Sequence, residues 1–304
     1  MQLLYLLESI RIPGLNEFML FVTKLGEETA FLVAALIIFW CVDKGRGYYV
    51  MTVGFLGTMA NQFLKLWFRV PRPWVLDESF TILESAREAA SGYSFPSGHS
   101  QSAVGTFGAI ANSAKNKWVK GICIAVCILV PLSRMYIGVH TPSDVLVGAG
   151  MACALVWLLK KPVLERPEKA MKVLIAVMLG CALGLLLFVE GYPFPADVDE
   201  HNLQSGIKNA YTMIGCITGV AVVYVFEKKY VNFETKAIWW AQLLKVALGL
   251  ALVLGVKEGL RNPLDALFAG HMAARAVRYF LIVLAAGGLW PMTFRWFSGL
   301  GVKK

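Results

Sequence analysis

The sequence predicts an all-α, polytopic transmembrane bundle of about nine spans, and three observations carry that prediction. Of 304 residues, 57% are hydrophobic and only 16% charged, with a mean hydropathy of +0.61, which is more apolar surface than one soluble core can hide. Apolar runs of ~20 residues, the length that crosses a bilayer core, recur along the chain. The basic residues, which give a net charge of +9, fall in short clusters between those runs, as cytoplasmic loops do. The same charge on a soluble domain would suggest nucleic acid. Here there is neither a basic stripe nor a recognition motif, and no nucleic-acid partner is expected.

Taken in order, the opening "MQLLYLLESIRIPG" lacks the basic leader and small-residue cleavage site of a signal peptide, so residues 1–24 are expected to stay on as an interfacial segment. Spans then follow at about 25–43, 46–66, 98–114, 118–134, 142–159, 172–190, 207–226, 237–256 and 276–294. The third and fourth, joined by "KNK", form a tight helical hairpin. The six cysteines lie in or beside these runs without the paired spacing of a zinc or redox site, and read as small core residues.

Alternation sorts the loops into two sets. One collects Lys44 and Arg46, Lys115, Lys117 and Lys120, the cluster from Lys160 to Lys172, Lys228, Lys229 and Lys236, and a tail with Arg295, Lys303 and Lys304. Lys and Arg accumulate on the cytoplasmic side, so that face and the C-terminus are assigned to the cytoplasm. The opposite set, loops 67–97, 135–141, 191–206 and 257–275 together with the N-terminus, faces outward from a bacterial cell membrane, or into a lumen in a compartmentalised cell. Lys65, Arg69, Arg72, Arg134, Lys257 and Arg261 break the charge rule on that outer side and need a local reason.

Three pieces supply one. In "KLWFRVPRP", Lys65 and Arg72 stand about two helical turns apart, although the prolines at 71 and 73 stop the helix near Phe68 and leave Arg72 in the exit turn. Alone, this piece is also read as snorkelling at a span end. In "YSFPSGHSQSA", Pro96 cannot continue a helix, Ser97 is a natural N-cap and Gly98 lets the backbone approach a ligand, so the helix start can hold an anion beside His99. Alone, it is equally an ordinary capped span. In "SRMYIGVHTPSD", Asp144 one turn beyond His140 can fix the imidazole tautomer, preparing a nucleophilic or basic histidine. The alternative there is a His–Asp pair that caps a helix. Together the pieces suit a phosphate group: Arg72 and Arg134 offer forked donors, Lys65 a point charge, and Ser97 and the Gly98 amide further hydrogen bonds. Charges so near a bilayer core are expensive unless they serve a site.

The order Lys65-x6-Arg72-Pro73, Pro96-Ser97-Gly98-His99, Ser133-Arg134-x5-His140-x3-Asp144 resembles the three-part signature of the type-2 phosphatidic acid phosphatase superfamily. That family also includes sphingosine-1-phosphate phosphatases, isoprenyl-diphosphate phosphatases, glucose-6-phosphatase and the vanadium haloperoxidases. The hydropathy excludes a soluble haloperoxidase relative. The match covers roughly residues 25–160, and its wording is closest to lipid phosphatases of the sphingosine-phosphate and polyprenyl-diphosphate kind. The resemblance implies that His140 attacks phosphorus to form a phosphohistidine, oriented by Asp144, and that His99 protonates the leaving oxygen and then activates water. Lys65, Arg72, Arg134, Ser97 and Gly98 would hold the equatorial oxygens, no metal or other cofactor would be needed, and vanadate would inhibit.

This divides the chain into the interfacial segment 1–24, a lipid phosphatase core 25–160 and a C-terminal transmembrane extension 161–304 of unassigned role. The extension's outer loops hold Lys257, Arg261, His271, Arg275 and Arg278. They read either as interface anchors or, for Lys257, Arg261, His271 and Arg275, as the lining of the site's entrance, where they recognise a second phosphate or a head group. The expected partners are a lipid phosphate substrate and membrane lipids. A lipid-to-lipid phosphotransferase and a lipid or anion transporter are the competing readings. The transporter is disfavoured because the charges lie at span ends, away from the midplane.

Overall fold

The computed structural model describes residues 1–87 and 90–300, so Lys303 and Lys304 of the expected cytoplasmic tail lie outside the described residues. It is all-helical among those residues, and each of the nine expected apolar stretches is a helix. In chain order the helices are α1 (Gln2–Ser9), α2 (Pro13–Lys24), α3 (Glu28–Ile37), α4 (Lys44–Phe68), α5 (Pro73–Leu76), α6 (Gly98–Ser113), α7 (Lys117–Tyr136), α8 (Pro142–Glu165) and α9 (Pro167–Gly191). After them come α10 (Glu200–Phe226), α11 (Trp239–Gly259), α12 (Arg261–Leu267), α13 (Ala273–Leu284) and α14 (Phe294–Gly299).

Among the described residues, six helical stretches are long and apolar enough to cross a membrane, and Pro13–Lys24 with Glu28–Val42, bent by 54°, makes a seventh if counted as one span. Counted that way, the first span would include α2 and start before the expected residue 25. Two expected spans, α4 and α6, do not pass on length and composition. The reason is chemical: α4 carries Asn61 and Lys65, α6 is only 16 residues long and carries Ser100, Gln101 and Thr106, and all five of these polar side chains are buried in protein.

The chain divides into two compact units. The first comprises Met1–Ala34, Tyr49–Glu165 and Pro193–Gly206. Here α6 packs against both α7 and α8, while α1 and α2 lie along α7. Val22, Ala103 and Val130 make one patch of core, and Leu4, Phe80, Ile82, Met135 and Val145 another. The segment after α5 is tied to the N-terminus: Arg11 donates from Nη1 to the Thr81 carbonyl (2.8 Å) and from Nε to the Tyr136 carbonyl (2.9 Å). Gly148 on α8 is needed for close approach, because a Cβ there would lie 2.5 Å from the Ser97 carbonyl oxygen at the start of α6.

The second unit comprises Ala35–Tyr48, Arg166–Tyr192 and Ile207–Lys304. A small-residue stripe on α10 lets it meet α13: a Cβ on Gly215 would fall 2.1 Å from the Ala276 carbonyl oxygen. Trp40 donates from Nε1 to the Ala286 carbonyl (2.9 Å), and buried Glu227 is paired with Lys44 at 2.8 Å. Phe39, Phe233 and Phe294 pack edge-on around this end of the unit.

Candidate active site

Helix ends carry the site. α4 closes with Lys65 in its last turn, α7 closes with Arg134, α6 opens just after Ser97, and α8 opens two residues before Asp144. The short turns between α6, α7 and α8 bring three of these ends together, the longer segment through α5 leads there from the end of α4, and the "KNK" hairpin lies at the other end of α6 and α7. All three sequence motifs therefore meet. Lys65 (7% exposed), Arg72 (7%), Arg134 (2%), His140 (1%) and Asp144 (1%) are buried together, and His99 lies within electrostatic reach of the three cations. Three buried cations against one carboxylate cost several kcal/mol to desolvate, which is hard to reconcile with simple snorkelling.

Arg72 is the hub. As expected, α4 stops at Phe68 and Arg72 sits in the proline-flanked exit turn. Its guanidinium donates to the carbonyls of Ser91 (2.9 Å), Gly92 (3.1 Å) and Val139 (2.9 Å), and Nη1 stands 2.9 Å from His140 Nε2. Arginine can only donate, so Nε2 must be the unprotonated ring nitrogen and Nδ1 carries the hydrogen. The tautomer is thus fixed from the Arg72 side, with the lone pair on the nitrogen that faces the cations.

Asp144 faces His140 at long range: its Oδ2 is 3.5 Å from His140 Nδ1. The same oxygen accepts the Thr141 N–H (2.7 Å), and Thr141 Oγ1 accepts the Asp144 N–H (3.3 Å), a reciprocal cap on α8. Ser94 fills the gap. Fully buried, it donates from Oγ to Asp144 Oδ2 (2.6 Å) and lies 3.4 Å from His140 Nδ1, so the contact runs from imidazole to hydroxyl to carboxylate. Asp144 both caps the helix and faces the histidine.

The start of α6 is built as expected. Ser97 Oγ accepts the Ser100 N–H (3.4 Å) and hydroxyl (2.9 Å), and the Ser97 N–H donates to the Asp144 carbonyl (2.9 Å). The amides of Gly98 and His99, in the first turn, have no intrahelical acceptor. A Cβ on Gly98 would make only an ordinary 3.5 Å contact with Asn61 Oδ1, and its φ is not positive, so neither packing within the fold nor backbone conformation requires glycine here.

His140 lies in the turn between α7 and α8. Burial first, then the charges of Arg72, Arg134 and Lys65, hold its ring well below the usual imidazole range. The folded state therefore refuses a proton that the unfolded state accepts below about pH 6.5, and stability falls as pH drops through that value. Thermal unfolding of the purified chain should lose stability between pH 7 and pH 5 more steeply than that of His140→Gln; parallel curves would remove this account of the ring.

Sequence reading missed Ser94, Thr23 and Asn61. Thr23 Oγ1 accepts from Arg134 Nη1 (2.7 Å), and Asn61, one turn before Lys65 on the same face of α4, donates to the Pro96 carbonyl (3.2 Å). Lys65 donates to the carbonyls of Tyr93 and Ser94. A polar Asn within an apolar span was a readable signal. The Thr23 contact was not, because it spans 111 residues of sequence. A cavity of about 890 Å³ opens beside Arg72, with Arg69, Trp74 and Arg87 on one wall and Asp197, Asp199 and His201 on another.

In the second unit, Lys257, Arg261 and Arg275 line one cavity together, which shares no lining residue with the one beside Arg72. His271 does not join them: its ring stands edge-on to Tyr211 with centroids 6.0 Å apart, and its Nδ1 accepts the Ala273 N–H (3.1 Å). Arg278 takes its place.

A buried imidazole with a fixed tautomer, ringed by cations at the helix ends of a membrane bundle, defines a site for phosphoryl chemistry. Residues 46–167 match the PAP2 superfamily, and residues 211–303 match the transmembrane extension of PAP2 superfamily phosphatases. Phosphatidylglycerophosphatase B of Bacillus subtilis (strain 168) is 33% identical over 164 residues, 50% of this chain and 76% of that protein. Undecaprenyl-diphosphatase of Sulfolobus acidocaldarius is 30% identical over 149 residues, covering 48% and 70%, and glucose-6-phosphatase 3 of Mus musculus is 26% identical over 197 residues, covering 57% and 56%. No solved structure matches the chain by the same standard. The chain belongs to the PAP2 superfamily and is a multi-pass membrane phosphatase.

Proposed function

We propose that the chain releases phosphate from a membrane lipid monophosphate or diphosphate through a phosphohistidine on His140. The observation that carries this is the Arg72–His140–Ser94–Asp144 chain of contacts, which leaves Nε2 as a lone pair among three cations and backs Nδ1–H with a buried carboxylate. Relatives acting, by name, on a glycerophospholipid, an isoprenoid diphosphate and a sugar phosphate share the phosphate chemistry and differ in the leaving group. The lipid tail of the substrate is supported by the bilayer setting and by the lipid-named relatives.

In the first step the His140 Nε2 lone pair forms a bond to phosphorus as the bond to the leaving oxygen breaks, and His99 gives that oxygen a proton. Arg72, Lys65, Arg134 and the amides at the start of α6 stabilise the charge on the equatorial oxygens. In the second step His99 takes a proton from water, the water oxygen attacks phosphorus, and the bond to Nε2 breaks. The basic loop between α6 and α7 lies at the opposite end of the bundle, which favours an outward-facing site.

Ser94 is a positioning residue in this scheme. Ser94→Ala should lower kcat by about 10-fold or more with KM little changed, and Ser94→Thr, which keeps the hydroxyl, should recover most of it. An unchanged kcat in Ser94→Ala would exclude the relay.

The function itself is tested by phosphate release from a panel of lipid monophosphates and diphosphates, assayed with purified chain under chelating conditions. Release from at least one lipid class is expected. Transfer to a second lipid without free phosphate would point to a phosphotransferase, and no reaction with any lipid phosphate would overturn the proposal.

A further inference from the structure

Four cations of the second unit, Lys257, Arg261, Arg275 and Arg278, converge with Tyr279 on a cavity of about 250 Å³ that holds a single carboxylate, Glu258. Lys257 and Glu258 form only an exposed pair at 3.6 Å, so that carboxylate is spent on the rim. The two arginines of α13 are set in place before any ligand arrives. Arg275 donates from Nε to Thr212 Oγ1 (2.6 Å) and rests over the Tyr279 ring at 5.2 Å, and Arg278 lies 5.9 Å from the same ring. Arg278 is only 8% exposed, and its buried Nε has no hydrogen-bond partner among the described residues.

Interface anchors explain Lys257 and Arg261, which are exposed, but not a buried arginine that has an unmet donor and lines the same cavity as three other cations. A buried donor left unpaired costs about 1–3 kcal/mol, and clustered like charges add to that cost. A phosphate group removes both penalties, since its oxygens accept forked donation from arginine and its charge offsets the cluster. Basic pockets at span ends bind phosphate-bearing lipid head groups by this chemistry.

We propose that this cavity is a second phosphate-binding site, carried wholly by the C-terminal extension and separate from the His140 site. Its ligand is a phosphate monoester or free phosphate, the former from an anionic lipid head group. The proposal does not rest on the phosphatase reading.

The test is calorimetric titration of the full chain, in neutral detergent, with a single-chain alkyl phosphonate that cannot be hydrolysed. Wild type should bind two equivalents, and Lys257→Gln with Arg261→Gln, both exposed and so tolerated by the fold, should bind one, with the lost equivalent weakened at least about 10-fold. Excess inorganic phosphate that displaces this equivalent identifies free phosphate as a ligand; retention against it identifies the lipid head group. A wild type that binds one equivalent, lost in the variant, would keep this site and remove the His140 site instead. Equal stoichiometry in wild type and variant overturns the proposal.

Discussion

His140→Ala should abolish phosphate release, with kcat falling by about 10⁴-fold or more, because the group that forms the bond to phosphorus is gone. The variant keeps Arg72, Lys65 and Arg134, so it should still bind a lipid phosphonate. His99→Ala provides the contrast. Loss of a general acid costs about 10²- to 10⁴-fold, and that loss shrinks when the leaving oxygen is a weak base that needs no proton. Activity of His99→Ala should therefore recover in part with an activated leaving group, such as an aryl phosphate, whereas His140→Ala should not. Recovery in His140→Ala instead would reverse the two assignments.

Arg72→Lys should be almost as damaging as Arg72→Ala. The guanidinium spans Ser91, Gly92, Val139 and His140 from one planar fork, and an ammonium cannot reach all four. Two effects should appear together. Loss of a donor aimed at developing charge lowers kcat by about 10²- to 10³-fold. Leaving buried carbonyls without their charged partner also lowers the unfolding temperature, since an unsatisfied buried polar group costs about 1–3 kcal/mol. A lysine variant with near-native turnover would show that Arg72 serves as charge alone.

The three motifs were legible because each is a local string whose chemistry is carried by residue type: a cation before a proline pair, a capped glycine-histidine helix start, a histidine one turn before an aspartate. Their convergence followed from helix alternation, which the fold reproduces. What escaped depends on distance through space. Ser94 sits 50 residues from Asp144 and reads as one more small polar residue in the loop before α6. Asp144 looked like a simple partner for His140, yet its own helix needs a cap, and the carboxylate divides itself between the two. α4 and α6 are helices where spans were expected, but they bury polar residues inward, and hydropathy records that as weakness rather than as function. In the extension, His271 follows a glycine as His99 does, but edge-on packing against Tyr211 leaves it outside the basic cluster that Arg278 completes.

The covalent step is tested most directly by the stereochemistry at phosphorus. A lipid phosphorothioate made chiral at phosphorus with two oxygen isotopes would be turned over by the purified chain in water carrying the third, so that the thiophosphate released bears four different ligands. Two successive displacements, first by His140 and then by water, predict overall retention of configuration. Inversion, the signature of direct attack by water, would contradict the phosphohistidine and leave His140 as a base.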